Sequence, residues 1–127
     1  MIKETIISIV IIGIIIFFEF YTQNYIEKSV NIMTQLLEEL KFEIEQENID
    51  NATAKIEQLE KKWYEIHEKL AYYIEHDELE KVDSAIVQMN SYIKTKEFSL
   101  AIAQLEEGKF VLDHIEDKNK LNLQNIF

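Results

Sequence analysis

The side chains with most capacity for chemistry are three histidines set among acids. His76 opens "HDELE" (76–80), His114 lies in "DHIED" (113–117), and His67 lies in "YEIHEK" (64–69). A histidine beside carboxylates is the minimum for a metal site or for acid–base work. The spacing is not that of a zinc motif, because there is no HExxH and no second His within one helical turn. With 24 acids in 127 residues, such neighbours arise by chance. No metal or cofactor is therefore expected, and His76, Glu78 and His114 are the residues that would hold an ion if one bound.

Other catalytic devices are missing from the sequence. There is no Cys, hence no thiol nucleophile, thiolate metal site or disulfide. No Gly-rich loop could cradle a phosphate, and Ser8, Ser29, Ser84, Ser91 and Ser99 lack a nucleophile-elbow context. Carboxylate pairs such as Glu38–Glu39 and Glu106–Glu107 read as solvated helix faces. The chain is expected not to be an enzyme.

The elements that must position these residues are helical. The chain has no Pro and only two Gly, and Ile, Leu, Glu, Lys and Gln dominate it. The net charge is −11. From Glu27 onward 22 acids face 12 lysines, and there is no Arg. Such a domain repels phosphate backbones, which excludes nucleic acid as a partner. Its overall acidity also disfavours lying flat on anionic lipid.

Residues 6–25 form an apolar run of the length that crosses a bilayer. Thr5–Phe18 is free of charge. A cleaved signal peptide needs small residues after its core. Here the core is followed by "EFYTQNYI", and the first Ala of the chain is Ala52. The segment reads as a retained single-pass anchor, residues 1–26. Phe17, Phe18, Phe20, Tyr21 and Tyr25 suit an interfacial aromatic belt at its outer end. Glu19 falls near that boundary, where a carboxylate reaches water or pairs with a partner helix. The short N-terminal flank with Lys3 suggests a cytoplasmic N-terminus and an extracytoplasmic domain, residues 27–127.

Past the anchor the apolar spacing is regular. Ile26, Val30, Met33, Leu37, Leu40 and Ile44 form one helical stripe, and Glu19 lies one heptad before Ile26. The membrane helix is therefore expected to run into the first domain helix. A second stripe is Ala52, Ile56, Leu59, Trp63, Ile66, Leu70 and Tyr73. A third is Leu79, Val82, Ile86, Met89 and Ile93. A fourth is Ala101, Leu105, Gly108, Leu112 and Ile115. Gly108 would let another helix approach. Asp50, Asp77 and Ser99 read as N-caps, with Glu80 completing a capping box after Asp77.

Shifting the chain by 49 residues lays "IEQENIDNATAKIE" (44–57) on "IKTKEFSLAIAQLE" (93–106) without a gap. Each unit is a helix, a capped turn and a helix that begins with alanines. Two hairpins, about 33–66 and 82–115, predict an all-α fold: a transmembrane helix continuing into an antiparallel bundle of about four helices. A two-hairpin solenoid is the competing arrangement. The ending, residues 116–127, reads as an extended tail that carries Ile126 and Phe127 for docking on the bundle or a partner. In "WYEIHEKLAYYIEH" (63–76) Trp63 is a core residue. Tyr64, Tyr72 and Tyr73 cannot all face inward, so they are candidates for a binding face, together with Glu19.

"LEKKW" with Trp63, "IEHDELEKVDSAI" with His76, Glu78 and Asp83, and the ending "HIEDKNKLNLQNIF" are familiar as a set. Over nearly its full length the chain resembles an uncharacterised bacterial family, a domain of unknown function frequent in spore-forming Gram-positive bacteria. The resemblance implies one N-terminal membrane helix and an all-helical domain. It draws attention to His76, Glu78, His114 and the terminal "NIF" without giving them a role. The expected function is a membrane-anchored extracytoplasmic module that binds another membrane or envelope protein. The alternative is an extracytoplasmic ligand- or metal-sensing domain.

Overall fold

The computed structural model describes the backbone of residues 1–126 and the side chains through Leu121. Four helices follow one another: α1 (Ile2–Glu45), α2 (Ile49–Leu70), α3 (His76–Lys94) and α4 (Phe98–Ile126). Helix α1 packs on α2 and α4, and α3 packs on the same two. The four therefore close into an antiparallel bundle rather than extending as a solenoid. No strand occurs among the described residues.

Helix α1 has 44 residues and no break. At a rise of about 1.5 Å per residue it is a rod of roughly 66 Å. Its first half is long and apolar enough to cross a membrane. There Ile6, Ile7, Ile9, Val10, Ile11, Ile12, Ile14, Ile15, Phe17, Phe18 and Phe20 are each more than half exposed. Two hydroxyls near its start bond to their own helix: Thr5 Oγ1 donates to the Met1 carbonyl and Ser8 Oγ to that of Glu4, each at 2.9 Å. That arrangement suits an apolar surrounding, where a free hydroxyl is costly.

Burial begins at Thr22 and follows the expected stripe. Ile26, Val30, Met33, Leu37, Leu40 and Ile44 are no more than 1% exposed. The stripes of α2 and α3 are buried as read, apart from half-buried Tyr73, and Ala101, Leu105, Leu112 and Ile115 of α4 close the core. Gly108 also faces inward. A Cβ placed on it would stand 3.4 Å from the Ala85 Cβ and 3.8 Å from the Met89 Cε. The α3–α4 approach therefore leaves room for Ala and no more.

The repeat is repeated atom for atom at the two hairpin turns. Glu47 donates its N–H to Ile44 O and Asn48 to Glu43 O; forty-nine residues on, Lys96 donates to Ile93 O and Glu97 to Tyr92 O. These two bonds close a Schellman turn, in which the residue after the helix adopts the left-handed conformation. Glu47 (φ 55°) and Lys96 (φ 60°) do so without being glycine. The central connection, residues 71–75, has no such residue.

The caps differ from the expected ones. Asn48, not Asp50, caps α2, its side chain accepting from the Asn51 N–H at 3.1 Å. Glu75, not Asp77, precedes α3, and makes no side-chain cap bond. Ser99 lies one residue inside α4. The helices therefore start two residues earlier than the apolar spacing suggested. Asp50 and Asp77 consequently sit in first turns, where a negative charge meets the positive end of the helix dipole.

The ending is also different. Residues 116–126 are not extended but continue α4. Asparagine is a modest helix former, but here tertiary contacts override propensity: Asn119 donates to Gln23 of α1, and Lys118 reaches α3. The side chains of Ile126 and Phe127 lie outside the described residues.

Two non-glycine residues in the left-handed region set up a stability test. Glu47→Gly and Lys96→Gly should each stabilise the bundle by about 1 kcal/mol, because a Cβ is disfavoured at that φ. Chemical denaturation of the single and double variants measures it, and the two gains should add.

Candidate functional site

Helices α2 and α4 return toward the apolar half of α1, so residues 71–78 and 114–121 gather beside Phe18–Ile26. Tyr73 is half-buried there, its ring edge-on to Phe18 at 6.0 Å. Tyr72 is 85% exposed and lies 6.4 Å from the Tyr73 ring. A small cleft of about 90 Å³ opens between Tyr73, Ile74, Glu75, Glu78, Ile115, Lys118 and Asn119.

Glu78 is the only acid buried among the described residues. Its Oε1 lies 3.5 Å from His114 Nε2 and 3.5 Å from Lys118 Nζ, while Lys118 also approaches Glu75 at 3.4 Å. A buried carboxylate that meets a lysine and a histidine across a helix pair fixes register as well as contributing attraction. The charge of Glu78, then the hydrogen bond that Lys118 donates to Glu75, raises the Lys118 ammonium above its ordinary 10.5.

A second polar knot joins α2 to α3. Trp63 Nε1 donates to Asp83 Oδ1 at 2.5 Å, and His67 Nε2 lies 3.5 Å from Asp83 Oδ2. The His67 ring stands edge-on to Trp63 at 5.7 Å. Asn90 adds a bond to Glu60 at 3.0 Å.

These positions sort the expected site residues. His76 does not join His114: it is exposed and pairs with Glu80 at 2.9 Å on its own helix. Glu78 turns instead to His114. Among the described residues no three of His, Asp and Glu converge as a metal site would require. Tyr64 is 68% exposed on the outer face of α2, eight residues before Tyr72, so the tyrosines do not form one patch. Glu19 is half-buried on the side of α1 that faces the bundle.

Sequence reasoning missed Lys118 and the Trp63–His67–Asp83 knot. A signal existed, because antiparallel helices pair residues equidistant from their turn. Glu39 and Lys55 flank Glu47 equally, Trp63 and Asp83 flank Tyr73, and Glu78 and His114 flank Lys96.

The two seams of α1 differ in charge. Along α4, Lys109 bonds Glu38 at 2.7 Å and Lys41 bonds Glu106 at 2.9 Å. Along α2, Lys55 bonds Glu39 at 2.9 Å and Asn51 bonds Glu43 at 3.2 Å, all near the far end of the bundle. The hydrogen bond from Lys109 holds the Glu38 carboxyl below its ordinary 4.5, and that from Lys55 does the same for Glu39. The bond to Glu106 raises Lys41, and the bond to Glu38 raises Lys109, above 10.5.

The sequence pattern of a family described as a domain of unknown function (DUF4363) matches residues 20–126. The match begins two residues before burial does at Thr22, and so covers the bundle. No curated protein and no solved structure matches the chain.

Two measurements follow from this geometry. Asp83→Ala leaves the buried Trp63 N–H without its acceptor and should cost about 1–3 kcal/mol in denaturant unfolding, with Asp83→Asn costing less. The depressed carboxyls of Glu38 and Glu39 add stability above their unfolded value and lose it as pH falls below about 4.5. The raised Lys41, Lys109 and Lys118 add stability below about 10.5 and lose it above. Thermal midpoints should therefore form a plateau that falls at both ends, and Lys109→Met should flatten the acid limb.

Proposed function

We propose that this chain, which belongs to the DUF4363 family of domains of unknown function, is a single-pass membrane protein that presents its bundle outside the cytoplasm to dock another membrane or envelope protein. The observation that carries the reading is the unbroken α1. Its first half exposes a sleeve of isoleucine and phenylalanine, and its second half buries a stripe in the bundle core. A sleeve of that extent calls for lipid around it, and the twenty-residue apolar run that carries it matches the hydrocarbon core.

The orientation rests on the short N-terminal flank with Lys3, which feeds directly into the apolar run as a signal-anchor does. Binding is favoured over catalysis by how the polar groups are used. Glu78, His114, Lys118, Trp63 and Asp83 satisfy one another across helix pairs, and Tyr64 and Tyr72 remain exposed. Exposed tyrosines are efficient contact residues because a large rigid ring carries a polar tip.

Two experiments test the reading. Protease added to intact cells should digest the bundle of the full-length protein; protection until the cells are opened overturns the orientation. A photo-crosslinking residue at position 72 should give one discrete adduct with a membrane or envelope protein, and one at Glu57 should give none. Loss of any adduct from positions 64 and 72 across growth conditions overturns the docking role.

A further inference from the structure

Lys55, Lys62 and Lys69 repeat two helical turns apart along the edge of α2 that faces α1. Only the first finds a carboxylate on α1, at Glu39. Lys62 lies 3.6 Å from Glu65 of its own helix. Lys69 Nζ stands 5.5 Å from the centre of the Tyr25 ring. Across from it, Lys28 has no carboxylate within ion-pair distance among the described residues.

Between them an open cleft of about 460 Å³ has Tyr25, Ile32 and Ile66 as its apolar floor and Lys28, Lys62 and Lys69 on its rim. Ser29, Glu65 and Glu68 complete the lining. With the adjoining cleft, which adds Lys61, four lysines face two glutamates. That balance is reversed from the rest of the domain, where 20 acids stand against 8 lysines. The other seam of α1 neutralises its lysines across the helix pair, at Lys41–Glu106 and Lys109–Glu38.

The cleft also lies at a particular height. Tyr25 closes the twenty-residue apolar run, and Lys28 follows it by one helical turn. With residues 6–25 in the bilayer, Tyr25, Lys28 and Lys69 stand at the level of the headgroups. We infer that this α1–α2 cleft binds the phosphate of an anionic phospholipid, with Lys28 and Lys69 as its cationic jaws and Tyr25 beneath the glycerol. The inference rests on the membrane reading above. A second copy of this chain is disfavoured as the occupant, because two-fold pairing of the clefts would set lysines against lysines. A positive cleft on a domain that is otherwise strongly negative also selects headgroups one at a time, since the remaining surface repels an anionic bilayer.

The test uses the full-length chain reconstituted in phosphatidylcholine bilayers that contain a minority of phosphatidylglycerol. Native mass spectrometry then counts the lipids retained on release. The wild type should retain phosphatidylglycerol in preference to phosphatidylcholine. Lys28→Gln and Lys69→Gln should each lower that preference about fivefold, the weight of one basic residue near an anionic surface. Lys94→Gln with Lys96→Gln, at the far end of the bundle, should leave it unchanged.

No preference in the wild type overturns the site, as does a preference that survives in the Lys28→Gln/Lys69→Gln double variant. Competition by soluble glycerol 3-phosphate as effective as that by the lipid would assign the cleft to free anions and overturn the lipid assignment. Circular dichroism of each variant establishes that the bundle is intact. Extraction of the wild type by alkaline carbonate would instead show that it does not span the bilayer, and the inference would fall with the membrane reading.

Discussion

Everything in this molecule depends on one helix that changes its surroundings partway along. For its first twenty residues α1 turns apolar side chains outward in every direction, and from Thr22 it turns them to one side only. Nothing in the backbone marks the change: no glycine, proline or kinked turn separates the two halves. The same hydrogen-bonded ladder therefore serves in both, and only the distribution of side chains tells the halves apart. A flexible linker would have decoupled the two, whereas a continuous helix makes the position of the bundle a property of the helix itself. The ring contact between Phe18 and Tyr73 and the bond between Gln23 and Asn119 brace that junction from both sides.

The bundle is held together by two kinds of device. Its interior is aliphatic and nearly solvent-free, and supplies the non-directional part of the stability. The seams carry directional bonds that specify which residues face one another. Trp63–Asp83 does this for α2 and α3, Glu78 with His114 and Lys118 for α3 and α4, and the lysine–glutamate pairs for α1 with its neighbours. A one-turn slip of α3 against α2 or α4 would leave the buried Trp63 N–H or the Glu78 carboxylate without its partner, at a cost of about 1–3 kcal/mol.

Much of this was legible in the residues. Periodicity located all four buried stripes, because heptad-like spacing is a direct image of a one-sided core. The forty-nine-residue repeat foresaw hairpins whose turns prove identical in their hydrogen bonds. Helix ends were less legible. Asp50 and Ser99 were displaced from the cap because a Schellman turn ends one helix and starts the next within three residues, and Asp77 because the central connection enters α3 already at Glu75. The C-terminal segment misled through its asparagines, whose low helix propensity gives no sign that Gln23 waits on a neighbouring helix. His76 misled in the opposite way, since adjacency in sequence to Glu78 put the two on different faces of α3.

The indole that closes the α2–α3 knot has one more property. Trp63 is the only tryptophan in the chain, it is 5% exposed, and its N–H points at a carboxylate. The protein thus carries a single indole fluorophore, placed on the one helix pair that is joined by the central connection rather than by a hairpin turn. Any event that parts α2 from α3 brings water to the indole and shifts its emission to the red, while motion of the first half of α1 alone leaves the spectrum unchanged. The bundle is in this sense self-reporting: its opening can be followed optically, without a label.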